Sequence, residues 1–422
     1  MIREKEPSWR KLDNAAKIFP TNSNKYDTKV FRFSCRLKEN VRQEVLQQAL
    51  DKTLYAFPLY RSIIRKGLFW YYFESSTIRP VVKQEDSSPC GELYNESIKR
   101  LLFEVTYYKT RINLEIHHVL TDGVGALQFL RTLVVNYLVM IHGEQLKGCD
   151  LNIDYDASLA EREVDSFSKY SSNDKGAKTP KIGKAYKFTG ELIEDNFLQI
   201  INGRVSVKEV LTIAHQYKTT LTIYLTALMI EAIGKQMTKR EKRHPVVVSV
   251  PVNLRPYFQS ASARNFFSVL LVPYKFGGGK DELVDIINYL KDFFARELKT
   301  EKFQTRINHL VALERNYITR AVPLILKKPT LKLAHYLSGK EVTTSFSNIG
   351  KVTMPDKLIP YIEGFDVCVS TRKIQVCLCS FGDQLSISFT SPFVGTEVQK
   401  HFFRALASQG VHVTINTNLN EK

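Results

Sequence analysis

The sequence contains few cysteines, and none of them forms a recognisable pair. Six are scattered over 422 residues, without a Cys-x-x-Cys element or the ligand spacing of a zinc site; they are Cys35, Cys90, Cys149, Cys368, Cys377 and Cys379. This pattern argues against a disulfide scaffold, and it predicts neither a metal site nor any other bound cofactor. Free cysteines favour a reducing compartment, so we expect a cytoplasmic location.

Long apolar runs are also missing. No uninterrupted apolar stretch approaches the roughly 18 residues that a membrane-spanning helix requires. The charged N-terminal residues Met1 to Pro7 lack the apolar run of a signal peptide. Gly-x-Ser-x-Gly is absent too, which argues against a covalent serine intermediate. Hydrophobic residues nevertheless make up 44% of the chain, enough for a sizeable core in two or three domains or two large halves.

One short motif stands out among the features that the sequence does contain. It consists of His117, His118, Asp122 and Gly123, and it follows an alternating apolar and polar strand pattern at 111–116. Apolar residues at helical spacing then predict a helix at 124–141. A histidine at such a strand-to-helix junction can be held rigidly and still face a cavity.

These residue types suit acyl transfer to a hydroxyl or an amine. A neutral imidazole, with a pKa near about 6.5, can take the proton of an attacking alcohol and return it to a leaving thiolate. We assign that role to His118, within a predicted catalytic set that also includes His117, Asp122 and Gly123. Asp122 is expected to cap the helix or pair with an arginine, and Gly123 to let the backbone turn tightly. The alternative is purely structural, with the histidines ending a strand; the full set of four residues favours a catalytic site.

The motif resembles the HHxxxDG signature of the CoA-dependent acyltransferase superfamily. This superfamily includes chloramphenicol acetyltransferase, the condensation domains of nonribosomal peptide synthetases, plant acyltransferases and alcohol acetyltransferases. The resemblance implies that the second histidine, His118, is catalytic and that Asp122 makes a structural salt bridge. The plant-type Asp-Phe-Gly-Trp-Gly motif is absent, which argues against that branch.

Two further segments carry the resemblance. Val-Ser-Val-Pro-Val-Asn-Leu-Arg-Pro at 248–256 resembles the segment whose arginine pairs with the motif aspartate, which implies an Asp122–Arg255 ion pair. Ser-Phe-Ser-Asn-Ile-Gly at 345–350 resembles the Ser-Asn-x-Gly segment of bacterial alcohol acetyltransferase-like members. Ser347 and Asn348 can donate hydrogen bonds to the oxyanion that develops on the carbonyl, or they can satisfy backbone groups at a strand end. Both interpretations stay open at this point.

The resemblance also implies a fold: α/β (α+β), with two similar chloramphenicol acetyltransferase-like halves forming a pseudo-dimer around a tunnel. We place an N-terminal half at 1–180 and a C-terminal half at 181–422, because the polar stretch 156–184 is typical of a linker or mobile loop. In the first half, patterns predict strands at 29–37, 68–74 and 111–117 and a helix at 41–55. In the second half they predict helices at 207–217, 221–237, 281–298, 303–318 and 397–408, and strands at 246–252, 266–276, 343–347, 366–370, 374–380 and 384–390.

The net charge of +17 needs a separate explanation. Excess positive charge attracts polyanions, so the candidates are the phosphates of acyl-CoA, an acidic acyl-carrier protein and an anionic membrane surface. The basic clusters at 239–243 and at Lys327, Lys328 and Lys332 form no recognised nucleic-acid module, so nucleic acid is not expected as a partner. A plain solvated face is the alternative explanation for each cluster.

We therefore expect an enzyme that moves an acetyl or longer acyl group from CoA, as co-substrate, to a small-molecule alcohol or amine. One alternative is condensation-like transfer from a carrier protein, and another is a catalytically silent scaffold with the same fold. A tunnel open to His118 from both faces would favour the enzyme. Because the two halves would complete the site within one chain, we expect a monomer.

Overall fold

The computed structural model describes residues 9–151, 153, 157–172, 174, 182–194, 197–279 and 281–419. Within these residues the chain forms sheets of three, five and seven strands. The three-stranded sheet has its middle strand paired antiparallel with both neighbours, in the order β1–β4–β3. Its strands are β1 (Trp9–Lys11), β3 (Ser62–Lys66) and β4 (Tyr71–Ser75).

The five-stranded sheet carries the first hydrophobic core. Its order is β12–β2–β7–β6–β5, and the strands are β2 (Val30–Leu37), β5 (Lys83–Gln84), β6 (Phe103–Tyr108), β7 (Arg111–His117) and β12 (Ile362–Val369). Phe33 and Cys35 alternate along β2 with polar residues, so they enter the core on one face of the sheet. Two mutually packed helices complete this core, α2 (Gln43–Ala56) and α3 (Gly123–His142).

The seven-stranded sheet carries the second core. Its order is β10–β9–β11–β13–β14–β8–β15, and β11 runs parallel to both of its neighbours. The strands are β8 (Gln199–Ser206), β9 (Val246–Asn253), β10 (Phe267–Tyr274), β11 (Thr344–Lys351), β13 (Gln375–Phe381), β14 (Gln384–Ser391) and β15 (Thr414–Thr417). The helix α7 lies between α9 and α13 and is apolar on almost every side, as a fully buried helix should be. The helices of this half are α6 (Val207–Gln216), α7 (Leu221–Gln236), α9 (Leu283–Glu297) and α13 (Glu397–Ser408).

The remaining helices of the described residues are five short ones and two long ones, α10 and α12. They are α1 (Phe19–Asn22), α4 (Leu159–Glu163), α5 (Ser166–Tyr170), α8 (Arg255–Phe258), α10 (Thr300–Arg315), α11 (Tyr317–Ala321) and α12 (Leu324–Lys340). The predicted helix at 303–318 is therefore shifted and ends at Arg315. The helix α12 and the strand β8 were not predicted from the patterns.

The strand β12 belongs to the C-terminal half of the chain but is hydrogen-bonded to a strand of the N-terminal half. It follows long after the C-terminal half begins, yet it pairs antiparallel with β2, with Phe365 opposite Cys35. The five-stranded sheet is therefore built from both ends of the chain. The proposed boundary at residue 180 stays a prediction.

The prediction of a linker or mobile loop at 156–184 is wrong for the described residues 157–172. Ser158 and Glu161 form a reciprocal capping box at the start of α4, and Asp165 caps α5. Phe167 is buried, and its ring lies 5.3 Å from that of Phe266. Polar composition indicated a loop, but here the polar residues cap helices. Residues 173 and 175–181 lie outside the described residues.

The helix α3 is long and apolar enough to span a membrane by length and composition alone. Its polar residues, which include Gln128 and Arg131, interrupt the apolar run, so α3 contains no uninterrupted apolar stretch of spanning length. In the structure 56% of its most apolar window is buried inside the protein, where it packs on α2 and the five-stranded sheet. The same property is expected of the core helix of a soluble protein.

Candidate active site

His118 lies directly after β7 and lines a cavity of about 200 Å³ between the two large sheets. Its backbone N–H donates to the carbonyl of Lys29 at 2.8 Å, which ties the end of β7 to the start of β2. The cavity walls come from β2 and β12 on one side and from β9, β10, β11 and β13 on the other. Its lining residues include Phe31, Phe33, Phe267, Ser347, Val367 and Cys377.

The hydrogen bonds around His118 fix which of its nitrogens carries the proton. Nδ1 lies 3.1 Å from the Oδ1 of Asn265. The amide nitrogen of Asn265 faces two acceptors, Asp13 Oδ2 at 3.3 Å and the carbonyl of Val119 at 3.5 Å, so its oxygen must face the imidazole. The oxygen accepts from Nδ1–H, which leaves the lone pair on Nε2. In the described part of the chain Nε2 makes no hydrogen bond.

Aromatic rings surround the imidazole. Phe19 stacks on it with ring centroids 4.5 Å apart, and the edge of Phe31 approaches at 5.1 Å. Burial lowers the pKa of His118 below its usual value, while the hydrogen bond to its own backbone, Asp122 and Asn265 act in the opposite direction. The imidazole is therefore neutral at physiological pH, as a general base must be.

His117 does not line this cavity, and its membership of the predicted catalytic set stays a prediction. It is completely buried; its Nδ1 accepts from the N–H of Val119 at 3.3 Å, and its Nε2 lies 3.3 Å from the hydroxyl of Ser23. Burial lowers the pKa of His117 to about 3. Consecutive side chains of a strand point to opposite faces, and both nitrogens of His117 are used in structural contacts.

The structure brings Asp122 and Arg255 together. Arg255 Nη1 donates to Oδ2 at 2.9 Å and Nη2 to Oδ1 at 3.1 Å, which is a bidentate pair with both side chains buried. Asp122 also accepts from the backbone N–H groups of Val124 and Gly125 at the start of α3, and from that of Phe266. The pair thus joins the loop that carries His118 to the seven-stranded sheet.

Arg255 has further acceptors in the loop before β10. Its Nε donates to the carbonyl of Ser262 at 2.8 Å, and its Nη2 to the carbonyl of Arg264 at 2.6 Å. These bonds hold the segment that ends in Asn265, which is the partner of His118. Asp122 and Arg255 therefore hold the segment that places Asn265 against the imidazole.

The glycine of the motif packs closely against the end of the flexible Ile349 side chain. A Cβ atom at Gly123 would lie 2.8 Å from the Cδ1 of Ile349, at the wall of the cavity, although the backbone there adopts no left-handed conformation. The restriction is stricter at Gly125, where a Cβ would lie 2.1 Å from the carbonyl oxygen of Ala263. Gly125, which the motif does not include, is where the start of α3 approaches the loop before β10 most closely.

Ser347 and Asn348 both line the cavity, but they differ in what their side chains already contact. The amide of Asn348 donates to the hydroxyl of Thr222 at 2.8 Å and accepts from the N–H of Gly350 at 2.9 Å. It therefore stabilises the irregular end of β11, where the register with β13 shifts. Ser347 precedes this irregularity and is the better placed of the two to contact a carbonyl oxygen in the cavity.

Asn265 and Asp13 were missed in the sequence analysis. Asp13 is fully buried and accepts from Asn265 and from the backbone N–H of Ala16 at 2.8 Å. It also forms an ion pair with Arg264, whose Nε lies 3.5 Å from Oδ2. Burial raises the pKa of Asp13 to about 6, against the opposing effect of Arg264. The only available signal was an asparagine directly before an apolar strand pattern. Among the described residues no group of three or more His, Cys, Asp or Glu side chains has the geometry of a metal site.

The sequence matches no protein-family model and no curated protein. Comparison with solved structures gives consistent likenesses over nearly the whole chain. F. graminearum TRI101, complexed with coenzyme A and T-2 mycotoxin, has a TM-score of 0.64 at 11% identity, covering 96% of this chain and 99% of that one. Polyketide synthase associated protein 5 from Mycobacterium tuberculosis has a TM-score of 0.59 at 13% identity, covering 94% and 97%. The first condensation domain of the CDA synthetase has a TM-score of 0.58 at 14% identity, covering 92% and 94%.

These likenesses establish the fold. The chain has the mixed α/β fold of CoA-dependent acyltransferases and condensation domains, with two sheet-based halves arranged as a pseudo-dimer. The prediction of fold class is confirmed.

Proposed function

We propose that this chain, which has the fold of CoA-dependent acyltransferases, moves an acyl group from a CoA thioester to the hydroxyl of a small-molecule alcohol. The observation that carries the proposal is the state of His118. Its Nδ1–H is bound to Asn265, its pKa is lowered by burial, and its Nε2 is left to accept a proton at the cavity. A silent scaffold would have no need to hold a neutral imidazole in one tautomer.

The reaction proceeds by direct attack in a ternary complex. The acceptor hydroxyl gives its proton to Nε2 of His118 while its oxygen attacks the thioester carbonyl carbon. Ser347 donates a hydrogen bond to the oxyanion that forms on the carbonyl oxygen. When the C–S bond breaks, the proton on Nε2 passes to the leaving sulfur, so the products are an ester and a free thiol. No resident cofactor takes part, since acyl-CoA enters as a co-substrate.

The setting of the reaction follows from the same residues. The tunnel predicted between the halves stays a prediction, and the cavity of about 200 Å³ beside His118 lies where it is expected. TRI101 was solved with coenzyme A and T-2 mycotoxin in the same fold, which supports a CoA donor and a small-molecule acceptor here. We further propose a cytoplasmic, monomeric enzyme.

A second candidate is transfer from an acyl-carrier protein to an amine or hydroxyl. The likeness to a condensation domain and the chain's net charge of +17, which suits an acidic carrier protein, favour it. The site chemistry would be the same, because cleavage of a carrier-bound thioester also releases a thiolate.

The direct test is thiol release from acetyl-CoA and longer acyl-CoAs against a panel of alcohols and amines, with the His118→Ala protein in parallel. We expect release that depends on both the acceptor and His118. If no CoA donor supports release but a carrier-bound thioester does, the second candidate is correct. If neither donor supports release, the chain is a scaffold and both proposals fail.

A further inference from the structure

The helix α12 buries very little of itself. Of its 17 residues only Leu324 and Lys327, in the first turn, are buried. Most of the other side chains are exposed, in contrast to α3 and α7, which form the cores of their halves. A helix that contributes so few residues to a core gains little stability from packing.

The exposed side of α12 is apolar and continuous. Its five large exposed apolar residues are each more than half exposed; they are Ile325, Leu326, Leu333, Tyr336 and Leu337. At about 100° per residue, these positions fall within an arc of about 120° around the helix axis. Pro329 lies within the same arc. Single exposed apolar residues are normal on a protein surface, but an apolar stripe along a whole helix marks an interaction site.

The turn between β3 and β4 contacts the first turn of α12 and also exposes apolar side chains. Leu68 and Phe69 are exposed at the tip of the turn. The turn is fixed to the helix, because the N–H of Leu324 donates to the carbonyl of Leu68 at 2.8 Å and Lys327 Nζ donates to that of Phe69 at 3.1 Å. We call the set of Leu68, Phe69, Ile325, Leu326, Leu333, Tyr336 and Leu337 the α12 surface.

The α12 surface is held in place at both ends of the helix. At the N-terminal end Lys327 also lies over the ring of Trp70, 3.9 Å from its centroid. At the C-terminal end Lys187 and Lys373 donate to the carbonyls of Gly339 and Val342, where cations suit the helix dipole. The apolar stripe is therefore a fixed feature, presented outward by contacts on the opposite side of the helix.

The charged residues of α12 itself are all basic, and the acidic residues at its border include Glu96, which pairs with Lys328, and Glu341 at the C-cap. The segment 315–340 contains six lysines and arginines and no aspartate or glutamate, although the whole chain has 43 acidic residues. Lys332 is exposed beside the apolar stripe, and Lys340 is exposed at its C-terminal end, where its Nζ lies 4.4 Å from the centroid of the Tyr336 ring. Apolar residues flanked by cations match the interface of a bilayer, where acyl chains take the apolar residues and anionic head groups take the cations.

We propose that the α12 surface docks the protein on an anionic lipid membrane. Charge complementarity selects this partner, because an apolar protein partner would give no reason for the exclusion of acidic residues from α12. Docking would also place the active site near the bilayer, since α12 packs on α1 and Phe19 of α1 stacks on His118. The proposal does not depend on acyl transfer.

The test is co-sedimentation of the full chain with phosphatidylcholine vesicles, with and without phosphatidylserine. We expect binding that requires phosphatidylserine and weakens as salt is raised. Leu333→Ser/Leu337→Ser should lower vesicle affinity at least tenfold. Lys332→Gln/Lys340→Gln should lower it by about tenfold or more, since each cation near an anionic surface contributes a few-fold in affinity.

Control variants outside the α12 surface test whether the loss of any exposed leucine or any two lysines weakens vesicle binding. Leu192 is 59% exposed, as Leu333 is at 58%, but it lies away from α12, so Leu192→Ser should bind like the wild type. Lys239→Gln/Lys400→Gln removes two charges elsewhere and should also bind normally. Thermal unfolding of every variant should match the wild type, because the substituted side chains are exposed.

The outcomes are distinguishable from those of the proposed function. His118→Ala should bind vesicles as the wild type does, even though it loses activity. The proposal would be overturned if the control variants lost as much vesicle affinity as the α12 variants. It would also be overturned if the wild type did not bind phosphatidylserine vesicles. A dimer in solution that Leu333→Ser/Leu337→Ser converts to a monomer would assign the surface to self-association instead.

Discussion

His117 and His118 are adjacent in the sequence, yet they have opposite hydrogen bonds and different surroundings. His117 accepts through Nδ1 and is enclosed, whereas His118 donates through Nδ1 and presents Nε2 at the cavity. Ser347 and Asn348 show the same contrast. The amide of Asn348 donates to Thr222 and accepts from Gly350, whereas Ser347 faces the cavity. In both pairs, residue type alone does not decide the role; the partners of each polar atom do.

The largest predicted effect is a difference in turnover between the alanine variants of His118 and His117. His118→Ala should lower turnover by about 10³-fold, because the general base is lost, with little change in melting temperature. His117→Ala should instead lower stability, since it leaves the N–H of Val119 without its acceptor and opens a cavity, while activity per folded molecule stays within about tenfold. Thiol release and thermal unfolding of both variants give the comparison. The reverse pattern would exchange the roles of the two residues.

The next effect concerns the ion pair that positions the His118 loop. Asp122→Asn or Arg255→Met should each destabilise the fold by about 3–5 kcal/mol, because each leaves a buried charge without its partner. Urea unfolding measures the loss. The double variant should cost less than the sum of the single variants. Two benign single changes would show that the pair does not hold the loop.

Ser347 and Asn348 should differ in the same way as the histidines. Ser347→Ala should lower kcat by about 10²-fold with little change in KM, as expected for a donor to the oxyanion. Asn348→Ala should mainly lower stability, because the hydroxyl of Thr222 and the N–H of Gly350 lose their partner. Steady-state kinetics and unfolding of the two variants distinguish these roles. An unchanged kcat for Ser347→Ala would remove Ser347 from the reaction.

A smaller effect is expected at Asn265, which positions His118 without touching the substrate. Asn265→Ala should lower kcat by about 10-fold or more, because the imidazole no longer has a fixed tautomer. It should also shift the acidic limb of the pH profile downward, since Asn265 raises the pKa of His118 in the native protein. A lower kcat with an unchanged pH profile would indicate only a structural role.

The smallest effect is the pH dependence of stability at His117. Because its pKa falls from 6.5 to about 3 on folding, the unfolded chain binds more protons between these values. Stability should therefore decrease as the pH falls from about 6.5 toward 3. Asp13, with its raised pKa, acts in the opposite direction, so the comparison of wild type with His117→Gln isolates the histidine. Parallel pH profiles of unfolding for the two proteins would contradict this assignment.

Local sequence patterns predicted the parts of the site that lie close together along the chain. His118, Asp122 and Gly123 share one junction, and most of the strands and helices around them were placed within a few residues. The Asp122–Arg255 contact came from a resemblance, since no local pattern relates positions 133 residues apart. Asn265 and Asp13 became visible only when folding brought three distant segments to one imidazole.

Physical reasons explain why the sequence patterns did not predict α12, β8 and the pairing of β12. The helix α12 carries its apolar stripe toward solvent and contains Pro329, which normally predicts a break. Along β8, Asn202 and Gly203 interrupt the alternation expected of a strand. The sheet partner of β12 cannot be predicted from its own residues, because apolar residues on a strand fit either sheet.

The most direct test of the central claim is ¹⁵N NMR of the two imidazoles near neutral pH, with each assigned from its alanine variant. We predict a proton on Nδ1 and a free lone pair on Nε2 for His118, and the opposite tautomer for His117, with both rings neutral. A proton on Nε2 of His118, or a positively charged ring there at neutral pH, would contradict its role as the base.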